Sequence, residues 1–430
     1  MKIKEIVEKI EGEAELDFKL NNGVVEDVQI SFGFYRGIED ILIGKAPLDS
    51  LVITPRVCGI CNHSHLIAAA KAIEDGYKSS GIEFKLTQKA ELIRDFTLSC
   101  ELIQNHFKWF YMTMIPYFYE LKSIEIKQNY PLKALYPSQI ITKAMSIFSG
   151  QWPHSSYAVP GGVTCDPTYV DILQSASFID EVIDFFQKVV IGIDLEEFLS
   201  IENALDLEKV QGDLGEFLYL LGSNDYAKKG QSHDRFIVFG SNCGFKSGKS
   251  IATTFANVDI NYVKEFKQKR SKSKGVEYKE KFFETGPLSR AMVAKVPIIK
   301  SLHKRYKDSV LIRVFARVRE IAQLLHSCKK YLDLINPNEE SCTLKASLLS
   351  QNFEGVAAVE AARGSLIHKT KVEDGKISKY EIITPTQWNL SNSTKEQEGV
   401  AIKAMRGSSS TKEATFIFRS FDICSVCTVQ

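Results

Sequence analysis

Hydrophobic residues recur with helical spacing through the middle of the chain. Residues 88–119 carry apolar side chains three or four positions apart and contain no proline before Pro116, and residues 170–195 and 310–334 show the same pattern. Such spacing places the apolar side chains on one face of a helix. The sequence therefore predicts long helices as the main elements of the protein.

Alternation of apolar and polar residues, which is typical of strands, occurs nearer the two ends. Residues 13–32 alternate on either side of Asn21-Asn22-Gly23, and residues 372–383 do so around Asp374-Gly375. Both segments favour the positive φ angles that tight hairpin turns require. We therefore predict two β-hairpins and a fold class that is mainly α with small β elements (α+β).

The pattern changes between residues 203 and 284. It shortens to strand-like runs such as 235–239 and ends in a lysine-rich polar stretch at 267–275. This indicates a single domain over residues 1–430 with a peripheral insertion at about 203–284 that carries an exposed basic loop. A solvated surface is a simpler interpretation of such a basic run than a binding site.

Composition excludes several classes of function. The 54 basic and 53 acidic residues leave a formal net charge of +1, which gives no positive field for nucleic-acid binding. No apolar run reaches the roughly 20 residues that span a bilayer, and the N-terminal segment is too charged for a signal peptide. We expect a cytoplasmic protein without direct membrane insertion, so that any association with a membrane would go through its partners.

Candidate chemistry lies in the cysteines, of which the chain has nine. Cys58 and Cys61 form one CxxC pair, and Cys424 and Cys427 form a second near the C-terminus. Four soft thiolates select nickel, zinc or iron over magnesium or calcium. In structural zinc ribbons the second pair follows within about 15–20 residues, whereas almost the whole chain separates these two. The spacing favours a metal centre that joins both ends of the protein.

The residues around these pairs resemble the signature motifs of nickel-iron hydrogenase large subunits. Arg56-Val-Cys-Gly-Ile-Cys61 is followed by His65, and the second pair lies within residues 419–430. Further family blocks appear in the family's order at 10–12, 34–39, 150–154, 160–163, 359–364 and 385–389. The resemblance covers nearly the whole chain and is closest to the cytosolic uptake and sensory branch. It implies the large-subunit fold, with a long central helix bundle and peripheral β-hairpins.

The resemblance also implies a cofactor. Cys58 and Cys424 would be terminal ligands of nickel, and Cys61 and Cys427 would bridge nickel to an iron that carries carbonyl and cyanide. The implied activity is reversible heterolytic cleavage of H₂, mainly in the uptake direction. Electrons would pass to iron–sulfur clusters on a small subunit.

Five further residues match functional positions of the family. Glu11 matches a proton-relay glutamate, and Arg363 matches an arginine whose guanidinium lies over the open metal site. Thr386 corresponds to a hydroxyl near a cyanide, Asp422 to an acid beside that arginine, and His65 to an imidazole near a bridging sulfur.

A magnesium site is also implied, because Glu39 and the backbone carbonyl of Ile382 match two of its ligands. The sequence departs from the family at the third ligand, where Gln430 replaces a histidine. An amide oxygen is still able to bind magnesium.

The implied partners are the small subunit, in an obligate heterodimer that can pair into a dimer of heterodimers, and maturation proteins. Three alternatives remain at this stage. The first is an H₂-sensing hydrogenase of low activity that signals to a partner. The second is a metal-free relative in respiratory complex I, against which the four cysteines argue. The third is a structural zinc protein.

Overall fold

The computed structural model describes residues 1–9, 12–126, 128–246, 258–344, 352–424 and 427. Within these ranges the helices are α1 (Ile38–Leu42), α2 (Ser50–Ile53), α3 (Asn62–Ser79), α4 (Gln88–Trp109), α5 (Ile115–Lys122), α6 (Tyr130–Ser149), α7 (Tyr169–Phe185), α8 (Leu195–Ser200), α9 (Asp213–Ser223), α10 (Pro287–Val293), α11 (Pro297–Tyr306), α12 (Val310–Leu334), α13 (Pro385–Leu390), α14 (Val400–Met405) and α15 (Thr411–Arg419).

The strands form small antiparallel sheets. They are β1 (Lys2–Lys9), β2 (Gly12–Asn21), β3 (Val24–Ser31), β4 (Ala158–Val159), β5 (Gly162–Val163), β6 (Val263–Lys267), β7 (Lys274–Tyr278), β8 (Phe353–Ala361), β9 (Gly364–Glu373) and β10 (Lys376–Ile383). The two three-stranded sheets have the orders β1-β2-β3 and β10-β9-β8.

Four long helices form the centre of the molecule. Helix α4 packs against α6 and α12, while α7 packs against both α6 and α12. The helix predicted over 88–119 is confirmed: α4 continues through the π-helical turn Phe110–Met114 into α5. Pro116 directly follows this turn, where the N–H of Ile115 bonds to the Phe110 carbonyl and the regular i→i−4 series is already interrupted, so the missing N–H of proline is tolerated.

The other two helix predictions differ in accuracy. Helix α12 has the bounds that the sequence pattern indicates. The element predicted to end at residue 195 ends earlier, because the π-helical turn Phe186–Ile191 is followed by Gly192 with φ 72°, a left-handed conformation that terminates helices. Helix α8 then starts separately.

Both predicted hairpins are confirmed. Asn22 and Gly23 have φ angles of 50° and 83° between β2 and β3, and Asp374 and Gly375 have 49° and 71° between β9 and β10. Strand β8 was not predicted, because it is buried by α3 and lacks clear alternation. The approach of α3 is so close that a Cβ on Gly355 would lie 1.9 Å from the carbonyl oxygen of Ala72.

The segment at 203–284 contains α9 and the hairpin β6–β7. The strand-like interpretation of 235–239 was wrong, since this run makes only an isolated bridge from Phe236 to Glu284. Its apolar residues are explained by burial instead, because Ile237 packs into a cluster with Trp388. The assignment of 203–284 as an insertion stays a prediction.

The fold brings the two ends of the chain together. Helix α3 begins directly after the first cysteine pair, and α15 ends shortly before the second. The turn between β8 and β9 lies at the same place and carries Arg363. Among the helices of the described ranges, none is both long and apolar enough to cross a bilayer.

Candidate metal centre

Two local structures place the four cysteines in one buried region. Cys58 follows the 3₁₀ turn Thr54–Val57, in which a proline sets the backbone, and Cys61 is the N-cap residue of α3. Cys424 and Cys427 follow the end of α15. All four side chains are almost completely buried.

The sulfur atoms are close enough to share one metal centre. The Sγ atoms of Cys58 and Cys424 are 3.5 Å apart, and those of Cys61 and Cys427 are 3.4 Å apart. The Sγ atoms of Cys424 and Cys427 are 2.8 Å apart, and all four lie within 4.8 Å of one another. Each first cysteine thus faces the other first cysteine, and each second faces the other second. Four converging sulfurs suit a soft metal ion.

The electrostatics of the cluster favour a bound cation. Burial raises the pKa of Cys58 and of Cys427, and hydrogen bonding to Cys424 raises that of Cys61. Burial opposes ionisation of Cys424 as well, but hydrogen bonds from the other three thiols and the nearby charge of Arg363 hold its pKa well below its usual range. A cation that neutralised the sulfurs would release the remaining protons.

Arg363 supplies a fixed positive charge beside the sulfurs. Its Nη2 lies 3.3 Å from Oδ1 of Asp422, and its Nη1 donates to Oδ1 of Asn105 over 3.4 Å. Burial works against this charge, but Asp422 and the cysteine sulfurs raise the pKa of Arg363 well above its usual value. The next residue, Gly364, has φ 131°, and a Cβ there would lie 2.4 Å from Oγ1 of Thr285, so the turn requires glycine.

Two buried polar atoms of the predicted site have no hydrogen-bond partner in the described part of the chain. They are Nε of Arg363 and Oγ1 of Thr386, which lies in the first turn of α13. Buried polar atoms in folded proteins nearly always have a partner, so these two are available to a bound group. A metal centre whose ligands accept hydrogen bonds fits them, as it fits the four sulfurs.

His65 lies on α3, one turn after Cys61, and is fully buried. Its Nδ1 is 3.1 Å from Nε2 of His368, and Nδ1 of His368 is 2.9 Å from the Tyr380 hydroxyl. Burial lowers the pKa of His65 to about 4, so the ring is neutral near pH 7. His368 and Tyr380 were missed by sequence reasoning. Tyr380 lies at an inward position of the second predicted hairpin, which could have indicated it, whereas His368 precedes the predicted hairpin.

Glu101 and Asn105, one turn apart on α4, hold the first cysteine turn and were not predicted. Glu101 accepts hydrogen bonds from the backbone N–H groups of His63 and Ser64 at 2.7 and 3.0 Å, and from the Ser64 hydroxyl at 2.6 Å. Asn105 donates to the Ile60 carbonyl over 2.7 Å. Burial raises the pKa of Glu101 to about 7.

Two predicted residues, Glu11 and Gln430, lie outside the described residues. Asp422 is where the sequence placed it, beside Arg363, but it also accepts a hydrogen bond from Arg317 over 2.7 Å. Arg317 was missed because an arginine in a long helix is usually exposed.

The predicted magnesium position does bring Glu39 and Ile382 together, but through the N–H of Ile382, which donates to Oε1 of Glu39 over 2.8 Å. Oε2 of Glu39 lies 3.1 Å from Nζ of Lys274, whose ammonium also lies 3.2 Å from Glu265. Gln387 donates to the other oxygen of Glu265 over 3.0 Å. All four carboxylate oxygens therefore have N–H partners, and the ammonium of Lys274 lies where it balances the charge of both carboxylates. The magnesium site, whose third expected ligand Gln430 lies outside the described residues, stays a prediction.

Comparison with known families agrees with this geometry. A family model described as nickel-dependent hydrogenase matches residues 36–125 and 241–430. The fold and the four-cysteine site define a hydrogenase large subunit, and the chain belongs to the nickel-dependent hydrogenase family, whose members are oxidoreductases.

Individual relatives are distant but match along most of the chain. The large subunit of the periplasmic NiFeSe hydrogenase of Desulfomicrobium baculatum is 26% identical over 89% of this chain and 84% of its own length. Subunit alpha of sulfhydrogenase 1 of Pyrococcus furiosus is 23% identical over 99% and 96%. The solved structure of the reduced Ni-Fe-Se hydrogenase from D. vulgaris Hildenborough has a TM-score of 0.85 at 23% identity and covers 100% of both chains. The predicted large-subunit fold is thereby confirmed.

The raised pKa of Glu101 predicts a specific pH dependence of stability. Between the usual value of 4.5 and about 7 the folded protein keeps a proton that the unfolded chain has lost, so stability falls as pH rises through this window. Glu101→Gln does not titrate, and its stability relative to the native protein should therefore rise by roughly 3 kcal/mol across the window. Denaturant unfolding near pH 4.5 and near pH 7 measures this. The control Glu120→Gln, at an exposed position, should show the same dependence of stability on pH as the native protein. The same dependence in Glu101→Gln would contradict the raised pKa of Glu101.

The ammonium of Lys274 between Glu39 and Glu265 predicts that these two carboxylates bind a divalent cation only weakly in the native protein. Lys274→Met removes the ammonium between Glu39 and Glu265 and should let the two carboxylates bind Mn²⁺ at least about tenfold more tightly than the native protein does. Titration with Mn²⁺, followed by electron paramagnetic resonance, measures the affinity. Native protein that holds one magnesium ion per chain after dialysis against a chelator would show the prediction to be wrong.

Proposed function

We propose that this chain is the catalytic subunit of a nickel-iron hydrogenase that oxidises H₂, reversibly and mainly in the uptake direction, and passes electrons to iron–sulfur clusters on a small subunit. The observation that carries this proposal is the convergence of four buried sulfurs from opposite ends of the chain. A metal bound by these sulfurs would be buried in the centre of the fold, which is not where a peripheral structural zinc site is expected.

The four sulfurs would hold the metals of the centre that the family resemblance implies. Cys61 and Cys427, whose Sγ atoms are 3.4 Å apart, would be the ligands shared by nickel and iron, and Cys58 and Cys424 would be ligands of nickel alone. A nickel-iron pair bound here would supply the redox and Lewis-acid chemistry that splits H₂ heterolytically. The chain's own residues position the reactants, balance the charge and remove the proton.

Two groups would hold the diatomic ligands of the iron. The partnerless Nε of Arg363 and Oγ1 of Thr386 are donors available to cyanide nitrogen atoms. The guanidinium charge of Arg363 would also offset the negative charge that four thiolates and cyanide ligands bring into a buried site. Asp422 keeps that guanidinium in place.

The proton leaves through Glu11 in this proposal. The family motif at residues 10–12 supports that role, because a carboxyl able to exchange a proton near neutral pH must lie close to a cysteine sulfur. His65, which is neutral and bonded to His368, keeps its ring fixed next to the first cysteine turn.

Electron transfer requires a partner. In the part of the chain that the structure describes, the four cysteines form the one cluster of metal-ligating side chains, so iron–sulfur clusters have to come from another subunit. Exposed apolar side chains between residues 34 and 52, just before Cys58 in the sequence, support a docking site there. They are Phe34, Tyr35, Ile41, Ile43, Leu48 and Val52. Obligate interfaces bury exposed apolar side chains of this kind.

Substitution of one cysteine tests the proposal. Cys61→Ser replaces a bridging thiolate by a poorer ligand, so the complex purified with its small subunit should lose bound nickel and at least about 100-fold of its H₂-dependent dye reduction. Cys100→Ser is the matched control. Cys100 is a fully buried thiol on α4 that is not part of the cluster, and its variant should keep nickel and most of the activity.

The outcomes separate the proposal from its alternatives. Native protein that contains zinc and no nickel would favour a structural zinc protein, and metal-free native protein would favour a complex I type of relative. Native protein with nickel and iron but slow turnover would favour H₂ sensing. Full activity of Cys61→Ser would contradict the proposed centre itself.

A further inference from the structure

We infer that Arg317, on the central helix α12, is a positioning residue that holds Asp422 and thereby fixes the Arg363 guanidinium beside the four cysteine sulfurs. This inference rests on the proposed function. Arg317 belongs to no motif of the sequence, and the carboxylate of Asp422 is shared between its guanidinium and that of Arg363.

Asp422 gives one oxygen to each arginine. Its Oδ2 accepts from Nη1 of Arg317 over 2.7 Å, while its Oδ1 lies 3.3 Å from Nη2 of Arg363. The contact to Arg317 is the shorter one, so Arg317 sets the orientation of the carboxylate. Without Arg317, both oxygens would be able to turn towards Arg363 in a bidentate pair and draw its guanidinium away from the sulfurs.

Arg317 is itself held on two sides. Its guanidinium carbon lies 4.6 Å from the centre of the Trp109 ring, and its Nη1 is 3.3 Å from Nδ1 of His106. Arginine only donates hydrogen bonds, so Nδ1 of His106 must accept, and the proton of the ring must be on Nε2. That N–H donates to Oε1 of Glu320 over 2.9 Å. Burial lowers the pKa of His106 to about 4, which agrees with a neutral ring.

The chain of contacts continues to a third arginine, Arg290. Arg290 donates to both oxygens of Glu320, at 2.8 and 2.6 Å, and to Glu360 over 3.0 Å. The connected groups are three guanidiniums, those of Arg290, Arg317 and Arg363, and three carboxylates, those of Asp422, Glu320 and Glu360. These six charges balance. Removal of one partner from such a buried network leaves an uncompensated charge, so the remaining groups must move.

The network fixes Arg363 from two helices. Asn105 on α4 accepts from Nη1 of Arg363, and Arg317 on α12 acts on Nη2 through Asp422. Helices α4 and α12 pack directly against each other, so the spacing between these two supports is set by the core of the protein. The position of the guanidinium is therefore determined by helix packing as well as by its own turn.

Two variants test the role of Arg317 in the purified complex. Arg317→Met removes the bond to Asp422 and should lower kcat for H₂ oxidation by about 10- to 100-fold, because the guanidinium of Arg363 is displaced. The KM for the electron acceptor should not change, and the cyanide bands in the infrared spectrum should shift, since Arg363 donates to those ligands. Arg317→Lys keeps the charge and should restore much of kcat and move the bands back towards their native positions.

A control separates positioning from general loss of stability. Arg94→Lys changes another buried arginine. Nη2 of Arg94 lies 2.7 Å from Oε1 of Glu74, and the side chain has no bond to Asp422. It should lower thermal stability without shifting the cyanide bands. If Arg317→Met binds no nickel, Arg317→Lys decides the question by its bands and kcat.

Native bands and a kcat within about twofold of the native value in a nickel-loaded Arg317 variant would overturn the inference, as would equal band shifts in Arg94→Lys. The absence of carbonyl and cyanide bands in the native protein would instead overturn the proposed function.

Discussion

The structure depends on one constraint: four cysteine sulfurs from opposite ends of the chain must meet in a buried place where their charge is compensated. Cys58 and Cys61 are held by the start of α3, while Cys424 and Cys427 follow α15. Thiolates cannot remain charged in an apolar interior without a cation nearby. A bound metal and the guanidinium of Arg363 meet this requirement together, and the rest of the fold brings these groups to one point.

Helix α4 contacts most of the groups that form the site. One of its faces holds the first cysteine turn through Glu101 and Asn105, and the same Asn105 accepts from Arg363. An adjacent position, His106, connects α4 to α12. Because these contacts leave from a rigid helix in the core, the site is preorganised by packing, which is how proteins hold reacting groups in fixed geometry.

Sequence reasoning recovered what depends on short-range patterns. Helix α12 has the predicted bounds, both hairpins turn where dipeptides with positive φ indicate, and the two CxxC pairs converge. It did not find residues whose role arises from tertiary packing. Arg317 and Glu101 lie on helices whose charged positions would ordinarily be solvated, and nothing in their local sequence distinguishes a buried charge from an exposed one. Strand β8 was missed because its glycine and alanine residues obscure the alternation of apolar and polar side chains, although burial alternates over the first six residues of the strand. The ammonium of Lys274 beside Glu39 was missed because residues far apart in the chain meet only in the fold.

Infrared spectroscopy of the purified native complex before and after addition of H₂, with nickel and iron quantified in the same sample, shows whether the four cysteines hold a nickel-iron centre. We predict bands from metal-bound carbonyl and cyanide that change when H₂ is added, with nickel and iron each near one per chain. Fully folded protein that lacks these bands and contains zinc in place of nickel would contradict it.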